Sequence, residues 1–440
     1  KMPKTFVYPN LDMERGVSLI RAGTPLSEPY AFVSEPTDDT PGLTVHRLLY
    51  KALVSGRHAV ARASKADILF SFIAPYRPPF HQWSTADETA MAALRKRADR
   101  SGEWTHRHIS RFALLHECEL VYSGRFVDAL VHLTADNRHR HFVVAEGAPG
   151  ACNIFEEYRG RTPPHSDLLL MLDPDSLFGP QPDRQLNVPY ISTVRWSNEL
   201  ETAGHTAPWR PHRSPRRHLA TFSGSTRGAP RAERIRKRVV EACDAAARTE
   251  PSRCSSFMST SIRGEGSAIE RTLALKRDAV FCLEPPGYSP PRKSAVDSIL
   301  LGCIPVFFFT REQAAAYMPL FFSWGVNASI LIDPVAFLEG SIDLFGRLSA
   351  VLPDQVRQMQ GTIARRAHEL VYSLDGRYRG DAIETLLHHL SRLELGARPS
   401  APDGGETSTY RAHDQAHNGH AITLRHAHTL KRFAGSRPQS

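Results

Sequence analysis

The stretch Ala279–Phe309 reads as strand, loop, helix, strand, and that unit commits the surrounding chain to an α/β fold. Ala279–Leu283 is a short apolar run of the kind that forms a buried strand, and Cys303–Phe309 is another. Between them, Ser289 is placed to cap a helix whose first turn holds Pro290 and Pro291, and Gly302 stands where a helix stop belongs.

That order puts the loop Glu284–Ser289 beyond the carboxyl end of a parallel strand and ahead of a helix N-terminus, where unpaired amides and the helix dipole attract anions. Arg292 and Lys293 add fixed positive charge at the same place. As a bare solvated first turn they oppose the dipole, whereas a bound anion accounts for them. A second strand-loop-helix unit lies upstream. His218–Phe222 is its strand, Ser223-Gly-Ser-Thr-Arg-Gly228 its small-residue loop, and Pro230 opens a helix with Ile235, Val239 and Cys243 on one face. Such a loop lets backbone amides approach a phosphate closely, although a plain βα turn uses the same residues.

These residues carry a resemblance. Phe281-Cys-Leu-Glu-Pro-Pro-Gly287, Arg292-Lys-Ser294, Asp297-Ser-Ile299 and Gly302-Cys-Ile-Pro-Val306 resemble the donor-site signature of the exostosin-like glycosyltransferases, family 47, nearest the branch with the plant xyloglucan galactosyltransferases. Arg217, Leu219, Phe222, Gly224 and Ile235-Arg236 resemble its second signature. Tyr288 departs from the pattern, standing where that branch has Asp, so sugar selectivity stays open. In the N-terminal half the likeness is thinner. His141 and Phe142 match a family turn in which Arg140 replaces an acidic residue, and Asn187-Val-Pro-Tyr190 matches a family segment that Ile191 and Ser192 then break.

The resemblance implies an α/β architecture of two Rossmann-like domains facing a cleft, the GT-B type. We expect an acceptor-side domain over 1–200, a Pro/His/Arg-rich linker over 201–215, and a nucleotide-sugar domain with closing helices over 216–395. The Gly/Ser/Pro-rich tail over 396–440 is expected to be disordered. The implied reaction is inverting transfer of a galactose-like or related sugar from a UDP-sugar to a glycan or polysaccharide hydroxyl, with no metal cofactor. A non-catalytic partner subunit or glycan-binding protein with the same fold is the alternative. Expected donor-binding residues are Arg217, Ser223, Gly224, Arg227, Arg236, Glu284, Gly287, Ser289, Arg292, Lys293 and Asp297, the last suited to ribose hydroxyls or else only paired with Lys293. His141 is the preferred base, with Glu146 at the other end of the same strand as the alternative.

Charge and cysteine content fit this reading. The balance of 55 basic against 46 acidic residues suits an anionic ligand, and because no basic stripe is interleaved with aromatics, nucleic acid is not the expected partner. No apolar run is long enough to span a bilayer; the resemblance implies a Golgi-luminal domain anchored by a segment outside this sequence, with hetero-complexes of transferases as possible partners. The six cysteines are either small buried hydrophobes or disulfides, and the family bridges positions like Cys282 with Cys303 and Cys243 with Cys254. Asn327-Ala-Ser329 is a glycosylation sequon. The competing signal is Asp173-Pro-Asp175, an acidic pair after an apolar strand, which many metal-dependent sugar transferases use to hold a divalent ion. The tail histidines His413, His417, His420, His426 and His428 read as solvated.

Overall fold

A computed structural model describes residues 2–7, 49–72 apart from 51 and 55, and 130–145 apart from 135; it further describes 169–171, and 186–392 apart from 195, 211–214, 229, 259–265, 288–291 and 374–377. Glu146, Asp173-Pro-Asp175, Tyr288, Ser289 and the tail lie outside the described residues.

Two five-stranded sheets are present, and every pairing in both is parallel. The first runs β1-β2-β3-β4-β5, with β1 Thr5–Val7, β2 Ile68–Phe72, β3 His141–Ala145, β4 Leu169–Met171 and β5 Leu186–Asn187. The second contains β6 His218–Gly224, β7 Cys254–Met258, β8 Ala279–Glu284, β9 Ile304–Phe307 and β10 Ile330–Leu331, in the order β10-β9-β8-β6-β7. Parallel strands need crossovers, which cover the sheet on its faces and leave the strands as continuous apolar runs. All of β9 and most of β8 are buried accordingly. The crossovers described include α1 Pro230–Thr249 after β6, α2 Gly266–Asp278 after β7 and α3 Lys293–Leu300 after β8.

Helix α3 begins later than its sequence predicts. Its N-cap is Arg292, in extended conformation and with no capping side-chain bond, rather than Ser289.

Of the stretch read as a linker, residues 201–206 and 210 are exposed, and a short buried piece around Trp209 joins the core together with residues just ahead of the stretch. Val194, Trp196, Ala207 and Trp209 are buried in the core of the second sheet, with the two indoles edge to face at 5.6 Å. The final helix, α4 Ala382–Arg392, buries Ile383, Leu386, Leu387 and Leu390 against Leu49, Leu53, Ile68, Phe70 and Phe142 of the first sheet's core. Helical spacing makes those residues one face, and each leucine contributes about 2 kcal/mol of burial. The last element of the chain therefore closes the first sheet. Both sheets lie within the unit Lys1–Gly396.

Candidate functional site

In the second sheet the chain passes from β6 outward to β7, then returns across β6 to β8 and continues to β9 and β10. Strand order thus reverses between β6 and β8, and in open α/β sheets the crevice outside the carboxyl ends at such a point is where ligands bind. The two loops that leave these ends are 225–229 and 285–292, the pair the sequence singles out.

The loops touch. A Cβ built on Gly228 would lie 3.3 Å from the carbonyl carbon and oxygen of Gly287, and one built on Gly287 would overlap the Arg292 guanidinium. Gly224 ends β6 at φ 150°, and there a Cβ would come within 2.8 Å of Arg236 Nη2. At Gly224 the backbone itself favours glycine, and at Gly228 a side chain would press on the Gly287 backbone, whereas at Gly287 it would displace only the far end of Arg292.

Arg236 joins the loops. It is 3% exposed on α1; its Nε donates to the Ser225 carbonyl at 2.5 Å and its Nη1 to the carbonyls of Pro285 at 3.1 Å and Pro286 at 3.2 Å. Burial, followed by the neighbouring Arg292 charge, lowers its pKa to about 10, so it stays cationic at neutral pH. The sequence assigned it to the donor; the structure shows its bonds spent on the loop backbones. Ser223 Oγ, near the end of β6, is buried with no hydrogen-bond partner among the described residues. Arg227 is exposed on the first loop, and Arg292 is half-buried at the start of α3.

Asp297 makes the pairing with Lys293 that the sequence left open beside the ribose role. It is 5% exposed, and Oδ1 accepts from Ser192 Oγ at 2.6 Å and the Thr193 amide at 2.7 Å, while Oδ2 accepts from Thr193 Oγ1 and Lys293 Nζ at 3.3 Å each. Lys293 also donates to Thr193 Oγ1. Both carboxylate oxygens are thus committed to fastening the segment that joins the sheets onto α3. Arg217 departs from the sequence expectation. It precedes β6, at the end of a seven-residue strand remote from the crevice, about 20 Å away by strand rise. It is exposed and pairs with Asp278 at 2.5 Å. Its neighbour Arg216, which the sequence reading passed over, is the half-buried one. Arg216 donates to the carbonyls of Lys276, Arg277, Ala279 and Leu301, closing the carboxyl ends of α2 and α3.

His141 opens β3, and its ring is 1% exposed with Nδ1 bonded to the Asn137 carbonyl at 3.0 Å. Burial holds its pKa below the usual histidine value. That is the amino end of a parallel strand, opposite to the end where ligands gather. Arg140 donates to the Ala66 carbonyl at 3.1 Å, a packing bond that an acidic side chain would not make.

A buried network that the sequence did not reveal lies below the second loop. Lys276 Nζ reaches Glu284 Oε1 at 2.5 Å, Ser298 Oγ at 2.6 Å, Ser294 Oγ at 2.9 Å and the Ser294 carbonyl at 3.1 Å, and Ser298 Oγ donates to Glu284 Oε1 at 2.5 Å. Both disulfides are formed, Cys243 to Cys254 with Cα atoms 5.3 Å apart and Cys282 to Cys303 at 5.8 Å. Asn327 is exposed. It lines a cavity of about 720 Å³ with Ile330, Gln358 and Arg365, before the amino end of β10. Strand topology, rather than cavity volume, therefore locates the candidate site. Among the described residues no cluster of three metal-ligating side chains occurs, and no helix is long and apolar enough to cross a membrane.

Comparison with known proteins agrees with this geometry. Residues 137–327, which contain both switch-point loops, match the Exostosin GT47 domain. That stretch, less than half of the chain, is similar to the family's domain. The chain is 29% identical over 170 residues to a probable xyloglucan galactosyltransferase, GT13, of Arabidopsis thaliana, covering 38% of the chain and 35% of that relative. It is 44% identical over 95 residues to the Arabidopsis xyloglucan-specific galacturonosyltransferase 1, covering 21% of the chain and 13% of the relative. The match thus spans about a third or less of these relatives' own length. A solved structure, the pneumococcal O-GlcNAc transferase GtfA with UDP and GlcNAc, aligns over 57% of the chain and 45% of its own at 11% identity and a TM-score of 0.29. The α/β assignment rests on the two parallel sheets themselves.

Proposed function

We propose that this chain is an inverting glycosyltransferase of the GT47 kind that moves a sugar from a UDP-sugar to a glycan or polysaccharide hydroxyl. The observation that carries the reading is the switch point between β6 and β8, whose two exit loops meet glycine to glycine beside Arg292 and the amino terminus of α3. The acceptor oxygen bonds to the anomeric carbon, the bond from that carbon to the diphosphate oxygen breaks, and its electron pair leaves with the nucleoside diphosphate. A base takes the hydroxyl proton. Departing charge is met by Arg292, by the α3 amides and, from the other loop, by Arg227, so the reading requires no metal. The names of the Arabidopsis relatives support a galactose- or galacturonic-acid-like sugar and a xyloglucan-like acceptor.

We place the protein in the Golgi lumen, held by an anchor outside this sequence and able to assemble with other transferases. The disulfides and the exposed sequon asparagine support an oxidising, glycosylating compartment. Arg140 and Tyr288, at usually acidic positions, support the second reading, a non-catalytic partner subunit or glycan-binding protein.

Thermal shift against uridine and guanosine nucleotide-sugars, followed by a transfer assay with a xyloglucan oligosaccharide, tests the proposal. A uridine ligand at 100 times its dissociation constant should stabilise the protein by about 2.7 kcal/mol. Binding without transfer favours the second reading, and no uridine binding rejects the first.

A further inference from the structure

Asn327 follows the helix Pro319–Gly325 and precedes β10, toward the amino ends of the strands and so away from the switch-point crevice. It is exposed, and with Ile330 it forms one wall of the cavity of about 720 Å³. That volume falls within the range of ligand pockets, about 300–1,000 Å³. The other wall is the helix Pro353–Arg366, whose Ile363 is buried in the core while Gln355, Gln358, Thr362 and Arg365, at helical spacing, line the cavity.

The lining suits a neutral, hydroxyl-rich ligand. Amide side chains both donate and accept, as sugar hydroxyls require, whereas an anion needs donors alone. Of the two guanidinium groups at the cavity, Arg357 is paired with Asp354 on its own helix, and Arg365 donates to Thr362 Oγ1 at 3.3 Å. Ile330, Val351 and Met359 supply apolar surface for the carbon face of a sugar ring. Gly361 is an independent observation. A glycine inside a helix weakens it relative to alanine, yet packing does not demand one here: outside the helix backbone, a Cβ at Gly361 would meet only Arg365 Nη1, at 3.5 Å, an ordinary contact. The side chain that is missing leaves cavity, where a ligand can approach the helix closely.

We propose that this cavity seats the first sugars of a glycan carried by Asn327 itself, the asparagine of the sequon Asn327-Ala-Ser329. The inference rests on the luminal placement above, and it takes its occupant from the attachment point in the cavity's own wall. Attachment joins Asn327 Nδ2 to the anomeric carbon of a lipid-diphosphate-linked oligosaccharide; the bond from that carbon to the diphosphate oxygen breaks with its electron pair, and the amide gives up one proton. The sequon hydroxyl is taken up in the fold, Ser329 Oγ donating to the Gly325 carbonyl at 2.7 Å, so attachment precedes the closing of this turn.

The full chain secreted from a glycosylating host, with and without Asn327→Gln and Gly361→Leu, tests it. Peptide mapping should find Asn327 modified. An unmodified Asn327 in secreted protein with both disulfides formed overturns this proposal alone and leaves the luminal and transferase readings standing. Seated sugars should raise the melting temperature by about 2 °C or more over Asn327→Gln, and Gly361→Leu, which puts a side chain into the seat, should remove most of that difference. Enzymatic release of the glycan from the native protein should also become several-fold faster in Gly361→Leu. A glycan that only extends into solvent gives the same Asn327→Gln difference in both backgrounds and equal release rates, and that result overturns the proposal. If Gly361→Leu does not fold, Gln358→Ala, a change at an exposed position, takes its place with the same two outcomes.

Discussion

Arg236 donates through Nη1 to the Pro285 carbonyl at 3.1 Å, a bond from the helix after β6 to the loop after β8. With Nε on the Ser225 carbonyl, one guanidinium fixes the spacing of both loops. Arg236→Met keeps the side-chain length but leaves three loop carbonyls without this donor. A loss of roughly 2–4 kcal/mol in chemical denaturation is expected, together with weaker nucleotide binding at temperatures where the variant is folded. Unchanged binding in a destabilised variant would separate the latch from the ligand.

The legibility of this chain follows from what sequence can encode locally. Apolar runs announce parallel strands, so β2, β3, β6, β8 and β9 were readable. The strand Cys254-Ser-Ser-Phe-Met258 was not, since two serines interrupt its apolar pattern and its pairing with β6 is a tertiary contact. The two loops were readable because glycine, proline and arginine punctuate them, and strand order then brought them together. The roles of individual side chains were not readable. Asp297 and Lys293 satisfy an i, i+4 pattern, yet nothing in the sequence shows that Ser192 and Thr193, about a hundred positions earlier, saturate the carboxylate. Arg216 and Arg217 are neighbours of identical type, and only the packing of two helix ends distinguishes the half-buried one from the exposed one.

The end of β3 that supplies the base is decided by a pair of substitutions. His141, at the amino end, is buried and held neutral, so its stability contribution is intact above the ordinary histidine pKa and falls as pH drops below it. His141→Ala should therefore cost stability and leave turnover per folded molecule close to wild type. Glu146 follows Ala145, the last residue of β3, and Glu146→Gln should reduce kcat by about 10²-fold or more with little change in nucleotide affinity. The reverse pattern restores His141 as the base.

The leaving group supplies a third test. Arg292→Ala should lower kcat by on the order of 10²-fold, as expected for removing a group that meets departing charge, while a surface arginine such as Arg217 should tolerate the same change. Turnover in the presence of a chelator should match that in its absence. If activity disappears in chelator and returns with manganese, the metal-free mechanism is wrong and Asp173 and Asp175 take over the diphosphate.

The last prediction concerns the docking of α4 on the first sheet. Asp381 caps this helix, with Oδ1 accepting the amides of Ile383 and Glu384 and Oδ2 the hydroxyl of Ser373, and it is 1% exposed. Burial raises its pKa from 3.8 to about 6 against the opposing effect of those hydrogen bonds. A carboxyl whose folded pKa is raised favours the fold most below its unfolded value, and that advantage is lost as pH rises through about 6. The shift of about two units corresponds to roughly 3 kcal/mol. Nearby, Glu384 accepts from His58 at 3.0 Å and pairs with Arg57, and burial keeps His58 below its usual pKa, so acidification works against the fold at that residue. Asp381→Asn isolates one contribution from the other. Urea denaturation of both proteins between pH 7.5 and pH 4.5 should show the wild type gaining stability relative to the variant as pH falls, by about 2–3 kcal/mol over the range. A stability difference independent of pH over this range would mean that Asp381 titrates at its ordinary value in the fold.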